Sequence, residues 1–345
     1  MFFPFRAPAA ARFILCFVAM ACAFGAPVRA RAAEPDAALV EAAKKEGKLV
    51  FYASFLGTKY HLEIIKGFEA KYGIPVELLD VRASEMLERI RTEQTTGKYI
   101  GDVVQNGAAT LLRQEREGEL QPHGGVPNAA NLTAGLTATD TRVPNYMLLY
   151  GILVNSNLVK PEDEPKSWND LADPKWKGKI LSDDMRAIGG GQVMFSALAG
   201  AMGKDYLKKL GGQDIIFSRD VGADERRIAR GEYPMRIPQL VSNYLLLKGL
   251  PVRFVMPKEG APYIRFDMAI LKGAPHINAA KLFMNYYLSE EAQLLYAQGG
   301  LVPLARGVAE KVDPALRALE QSKLMGTTDP DTQDAMLALA RDIFK

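Results

Sequence analysis

Between Asp36 and Gln105 short apolar runs alternate with helical patterns, and this alternation restricts the chain more than any other feature. KLVFYAS at Lys48–Ser54 has the length and composition of a buried strand; the charged helix Asp36–Glu46 precedes it and Gly57 closes it. The spacing predicts a helix over Tyr60–Tyr72, with Leu62, Ile65, Phe68 and Tyr72 on one face and Gly73 ending it. Pro75–Val81 is a second strand. Ser84 caps a helix over Glu85–Thr96, and Gly101–Gln105, entered through Asp102, is a third strand. Parallel strands need crossover connections of a dozen or more residues, which these helices supply. The expected class is α/β, a doubly wound parallel sheet with helices on both faces.

The pattern changes at Pro144–Asn155, where NYMLLYGILVN forms an apolar strand long enough to cross between two lobes. A second α/β unit follows from Val154 to about Pro257, with strands at Lys179–Ser182 and Pro234–Pro238 and a helix at Gly190–Met202. Val252–Val255 leads back, PKEGAP at Pro257–Pro262 is a turn, and Phe266–Lys272 is expected to rejoin the first sheet. Two crossings imply two doubly wound lobes with a cleft between them. Lobe 1 is expected over residues 33–147 and 258–312, lobe 2 over 148–257. Residues 313–345 are expected to form C-terminal helices, divided by a turn at Gly326–Pro330.

Residues 1–32 have the layout of a signal peptide. Arg6 and Arg12 precede the uncharged run Phe13–Ala26, and Ala30-Arg31-Ala32 offers small residues for cleavage. A periplasmic location follows as an expectation. Cys16 and Cys22 both fall in this segment, leaving the mature chain without thiol or disulfide; Cys22, as a lipidation site, lacks the leucine such sites carry. Residues 1–32 hold four arginines and no acid, so cleavage leaves 39 basic against 40 acidic side chains. A balanced surface gives no ground for nucleic-acid binding.

Two motifs narrow the class. In PKSWNDLADPKWKGKI (Pro165–Ile180), Ser167 can N-cap a short helix with Asp170 three residues on; Pro174 stops it and Gly178 turns the chain into a strand. LKGAPHINAAKLFMNYYLSEEAQLLYAQGGLVP (Leu271–Pro303) continues a strand into paired helices. The second starts at Ser289, with Glu290 and Glu291 in its first turn. Over roughly Ala38–Gly307 these segments resemble the type II extracellular solute-binding proteins of ABC importers, in the branch of ferric-iron, phosphonate and polyamine binders. The resemblance implies a two-lobed periplasmic binding protein type II fold that closes by hinge motion. It also implies a small-molecule ligand, an inner-membrane ABC permease as partner, a monomer and no catalysis. A ligand-sensing subunit for a signalling receptor is the alternative of another class.

Enzyme motifs are scarce. His61, His123 and His276 are scattered, there is no nucleophile elbow, and Gly189-Gly190-Gly191 departs from dinucleotide-binding spacing because Met194 stands at the third glycine position. No cofactor and no metal set is expected. In doubly wound folds ligands lie beyond the carboxyl ends of the strands. That rule nominates Ser54, Phe55, Arg82, Ser84 and Asn106 in the first lobe, with Tyr146 near the first crossing. In the second lobe it nominates Asp184, Arg186, Gly190, Gly191, Gln192, Gln239 and Tyr244, with Asp183 and Tyr150 beside them. Glycines opening a helix free backbone N–H groups for an anion, and Arg186 could clamp it bidentately. The competing arrangement pairs Arg186 with Asp183 or Asp184 as a surface ion pair.

The ferric-binding relatives carry two adjacent tyrosines after a Gly-Glu-x-Pro strand. GEYPMRIPQLVSNYLL matches with Tyr244 alone, because Leu245 follows. Ferric ion wants several anionic oxygen donors, so iron, anchored at Tyr244, is the alternative. Asp183, Asp184 and Phe55 would suit a polyamine, but Arg82 and Arg186 oppose it. The preferred ligand is a small organic anion of carboxylate or phosphonate type, with Phe55, Met185 and Tyr244 against its apolar part.

Overall fold

A computed structural model describes Met1 and residues 35–54, 59–81, 83–133 and 135–345, without the side chains of Ser84 and Glu320. The expected signal peptide with its cysteines, Phe55, Arg82 and the Ser84 side chain therefore lie outside the described residues.

The chain begins with α1 (Ala37–Glu46), β1 (Leu49–Ala53), α2 (Lys59–Tyr72), β2 (Val76–Asp80), α3 (Ala83–Thr96), β3 (Val103–Gly107), α4 (Ala108–Arg116) and the short β4 (Leu120–Gln121). The long β5 (Arg142–Asn155) leads to β6 (Ile180–Asp183), α5 (Gly190–Gly211), β7 (Ile216–Ser218), α6 (Val221–Ala229), β8 (Met235–Leu240), α7 (Val241–Leu245) and β9 (Val252–Val255). Then β10 (Ala261–Leu271) returns, followed by α8 (Ile277–Tyr287), α9 (Glu290–Gln298), β11 (Val302–Pro303), α10 (Pro314–Glu320), β12 (Leu324–Gly326) and α11 (Gln333–Ile343).

The main sheet runs β2-β1-β3-β10-β5-β8-β6-β7. Strands β1, β2 and β3 are parallel, as are β6, β7 and β8, which gives each half of the sheet its own wound unit. β5 and β10 join the halves: β5 pairs with β10 over Arg142–Leu149, then with β8 and β9 over Tyr150–Asn155. Both crossings are thus strands, and β10 begins five residues earlier than the pattern Phe266–Lys272 indicated.

Each half has its own apolar interior. In the first, Phe51 and Phe68 meet Phe283 edge-on, both at 4.9 Å, contacts worth about 0.5–1.5 kcal/mol each beyond area burial. In the second, Trp168, Phe195, Leu198, Leu207 and Ile237 are fully buried. The Trp168 motif owes its sequence to this packing. Its indole N–H donates to the Gly260 carbonyl at 2.9 Å, stapling the connection onto the return crossing. The segment Trp168–Ala172 is a 3-10 turn, with Ser167 accepting from the Asn169 N–H.

Three expectations change. α2 buries His61, Ile64, Ile65, Phe68 and Tyr72 while Leu62 is exposed; the face is rotated because Tyr296 offers His61 a hydroxyl partner. The helix expected over Gly190–Met202 is present and ends at a break at Gly203, whose φ is 78°, but a second helical segment not expected from the sequence follows it to Gly211. The C-terminal segment is two helices separated by β12, which pairs with β10 at Ala261.

Candidate functional site

The strand register places the two sets of carboxyl ends opposite one another. Gly107, the last residue of β3, pairs with Phe266, which pairs with Tyr146. Leu240, the last residue of β8, pairs with Tyr150. β5 runs parallel to β3 and antiparallel to β8, so both halves point their carboxyl ends at the stretch Tyr146–Tyr150. Four residues of strand span about 13 Å, room for a small solute and its contacts.

At the first-half end, Ser54 is partly exposed just past β1. Asn106 is buried; its Oδ1 accepts from the Gly107 N–H at 2.8 Å, and its Nδ2 has no partner. Tyr146 is an interior residue, 2% exposed, stacked on Phe266 at 4.8 Å and packed against Tyr296 and His61. A role as a ligand wall is not what this placement provides, because aromatic neighbours enclose the ring. Burial first, then the Tyr296 and Asp80 charges, raises its phenol well above the usual range. Below it the Tyr296 hydroxyl meets Asn145 Nδ2 at 3.0 Å, Gln105 Nε2 at 3.3 Å and His61 Nδ1 at 3.4 Å. Burial pushes the His61 imidazole down to about 3, so it is neutral.

The second-half end is built of charge. Asp183 closes β6 and its Oδ2 accepts the Gly191 N–H at 2.7 Å, at the first turn of α5. The protein's own carboxylate therefore occupies the place the sequence assigned to a ligand anion. The glycines have a steric purpose: a Cβ at Gly191 would lie 2.4 Å from the Asp183 carbonyl oxygen, and one at Gly190 would lie 3.1 Å from the Tyr150 hydroxyl. Burial, then the Asp183 charge, raises the Tyr150 phenol, which stays protonated.

Arg186 adopts the competing arrangement. Its Nε and Nη2 donate to Asp184 at 2.9 and 3.2 Å, its Nη1 donates to the Phe344 carbonyl at 3.3 Å, and its guanidinium lies 4.5 Å from the Phe217 ring centre. Burial works to raise the Asp184 carboxyl, but hydrogen bonds from Arg186 outweigh it and hold it below its ordinary value. The guanidinium anchors the C-terminal helix, and the clamp on an external anion is corrected accordingly. Met185 is fully buried in the second-half core. Gln192 is buried too: its Oε1 accepts from Gln333 at 3.2 Å and its Nε2 has no partner. Gln239, fully buried, donates to Glu225 Oε1 at 2.7 Å.

Arg236 escaped the sequence reading. It is 2% exposed on β8, donates to the Pro238 carbonyl at 2.5 Å and to Gln239 Oε1 at 3.1 Å, and its Nε is buried without a partner. Burial lowers its pKa, opposed by the charges of Glu225, Asp183 and Asp224. A signal existed. In MRIPQ the arginine alternates with Met235 and Ile237, so it must enter the face covered by α6, where Asp224 and Glu225 stand side by side.

Tyr244 is half-buried, its ring 5.4 Å from Phe254. Leu245, in the position of the second tyrosine of the ferric relatives, packs near Gly300, where a Cβ would lie 2.9 Å from Leu245 Cδ1. The adjacent Gly299 lies against the Tyr60 ring. The Gly299-Gly300 elbow of the first half thus meets α7 of the second.

Comparison with known proteins agrees with this architecture. Residues 63–321 match the model for bacterial extracellular solute-binding proteins. The chain belongs to that family. This solute-binding protein is 26% identical to a putative 2-aminoethylphosphonate-binding periplasmic protein of Salmonella typhimurium, covering 81% of the chain and 84% of the relative. It is 25% identical to iron uptake protein A1 of Synechocystis, over 80% and 82%. A 31% match to an uncharacterized Haemophilus influenzae protein spans about half of that relative's length. Iron-bound HitA from Pseudomonas aeruginosa superposes with a TM-score of 0.71 at 22% identity, covering 86% of this chain and 99% of that one. The fold is the two-lobed type II periplasmic binding protein fold.

Among the described residues no group of three or more His, Cys, Asp or Glu side chains is placed to hold a metal ion. No described helix is long and apolar enough to cross a membrane. A surface groove of about 540 Å³ lies beside the Trp168 segment, lined by Glu162, Asp163, Lys166, Asp170 and Lys175. It is open and polar, and none of the strand-end residues lines it.

Proposed function

We propose that this family member is the periplasmic solute-capturing component of an ABC importer, holding a small organic solute of carboxylate or phosphonate type between the opposed strand ends. The observation that carries the reading is the register that brings the carboxyl ends of β1–β3 and of β6 and β8 to face each other along Tyr146–Tyr150. A solute touching both ends favours the closed form by its differential contacts with it. The chain delivers its cargo to a membrane permease and performs no chemistry on it.

Ferric ion is the second reading, favoured by the name of the Synechocystis relative. Against it, Tyr244 packs on Phe254 and Leu245 is an alkyl side chain where a second phenolate would be needed. With Arg186 bound to Asp184, an anionic ligand group is left to neutral donors such as Asn106 Nδ2 and the backbone near Ser54.

The test is a thermal-shift screen of refolded, ligand-free protein against carboxylates, phosphonates, polyamines and ferric citrate. A ligand at a hundred times its Kd adds about 2.7 kcal/mol of stability, so a true ligand raises the Tm by several degrees. A shift with organic solutes supports the reading. A shift with ferric ion alone, accompanied by visible tyrosinate-to-iron colour, overturns it in favour of iron.

A further inference from the structure

The carboxylates at the second-half strand ends are not equivalent. Asp184 is neutralised by a two-point pair with Arg186. Glu225 accepts from Gln239 and Asn243 and faces Arg236 beneath α6. Asp183 differs from both. It is partly exposed, and among the described residues no lysine, arginine or histidine nitrogen lies within salt-bridge distance of it.

The hydrogen bond that holds Asp183 in place is neutral, and the buried Arg236 acts on it only through space. The Gly191 N–H takes one lone pair of Oδ2 at 2.7 Å, and the tight glycine turn fixes the strand end against α5. A carboxylate has about four acceptor positions, of which the Gly191 N–H occupies one. The Tyr150 hydroxyl adjoins the same turn and, being protonated, also presents an acceptor oxygen. An external anion finds the opposite of what a glycine-led helix usually offers. One first-turn N–H, that of Gly191, is taken, and the tethered negative charge repels a second anion.

Resting on the solute-capture reading above, we propose that Asp183 is the charge-selecting residue of the site, and that the part of the solute reaching it carries a protonated amine. An ammonium donates to the open side of the Asp183 carboxylate and to the Tyr150 oxygen. Its acidic end lies towards the first half, which makes the solute class a small aminoalkyl acid. Asp183 excludes simple anions from the start of α5, so selectivity comes from a negative charge the protein supplies itself.

Asp183→Asn tests this without dismantling the turn, because the asparagine oxygen still accepts from Gly191. Titration calorimetry with wild type and variant would use matched probes with and without the amine: 2-aminoethylphosphonate against ethylphosphonate, and β-alanine against propionate. The wild type is expected to bind the amine-bearing member of a pair at least tenfold more tightly. In Asp183→Asn that ratio falls below threefold, while the Tm of ligand-free protein stays within about two degrees. An unchanged ratio in the variant, or a wild-type preference for the amine-free member, overturns the proposal. If the wild type ignores both pairs but binds ferric citrate or another solute of the screen, the amine assignment fails and solute capture stands. If it binds no probe at all, both fail.

Discussion

Two residues of one strand, Tyr146 and Tyr150, are four positions apart on β5 and sit in opposite kinds of interior. Around Tyr146 the first half buries neutral groups: an imidazole held unprotonated, stacked phenols and amides bonded to the Tyr296 hydroxyl. Around Tyr150 the second half buries charge, with Arg236 beside Asp224 and Glu225 and near the partly exposed Asp183. Buried neutral groups need only hydrogen bonds, whereas buried ions need partners of opposite sign, and removing one partner is costly. The difference teaches that one fold can satisfy its interior at Tyr146 with neutral hydrogen bonds and at Tyr150 with paired ions.

The largest effect is expected from breaking the charged side. Arg236→Met leaves the buried Glu225 without a countercharge, while Asp224 keeps Arg227, and should lower stability by about 3–5 kcal/mol in urea unfolding. Adding Glu225→Gln should recover part of that loss. A loss under 1 kcal/mol would mean that the arginine is solvated and that the two ends differ less than described.

A smaller effect is expected at the turn that presents Asp183. Gly191→Ala forces a Cβ to 2.4 Å from a backbone oxygen and should cost about 1–3 kcal/mol by overpacking. Gly200→Ala in the same helix meets nothing within 4 Å and should stabilise by about 0.5–1 kcal/mol. Equal melting temperatures for the two variants would remove the steric reason for the glycine-rich turn.

The smallest and most graded effect concerns the neutral side. His61 titrates at about 3 in the fold against 6.5 when free, so the unfolded chain takes up a proton the folded chain refuses. Stability therefore falls as pH drops from 6.5 towards 3, by at most about 1.4 kcal/mol per pH unit from this residue. His61→Gln, which does not titrate, should show a shallower decline between pH 7 and pH 4.5. Identical slopes would show that the imidazole is hydrated.

Much of the architecture was legible because its determinants are local. The run of Leu49–Ala53, the helix ended by Gly73 and the long apolar β5 each declare themselves through periodicity and turn chemistry. The site was less legible. Arg186 and Gly190–Gly191 have the composition of an anion receptor, and only the fold shows Asp184 taking the first and Asp183 taking the N–H of the second. Tyr146 near the crossing, Gln192 at the start of α5 and Gln239 at the end of β8 are where the sequence placed them, yet neighbours far away in sequence enclose them: Tyr296, Gln333 and Glu225.

The sequence by itself determined the α/β class, the first strand crossing and the solute-binding family, since these rest on spacings within some thirty residues. The tertiary structure alone decided which charges are paired inside the protein. That decision depends on partners such as Phe344 for Arg186 and α6 for Arg236, which no local pattern connects. Hydrophobic periodicity is written in the order of the residues, whereas the pairing of charges is settled only when distant segments meet.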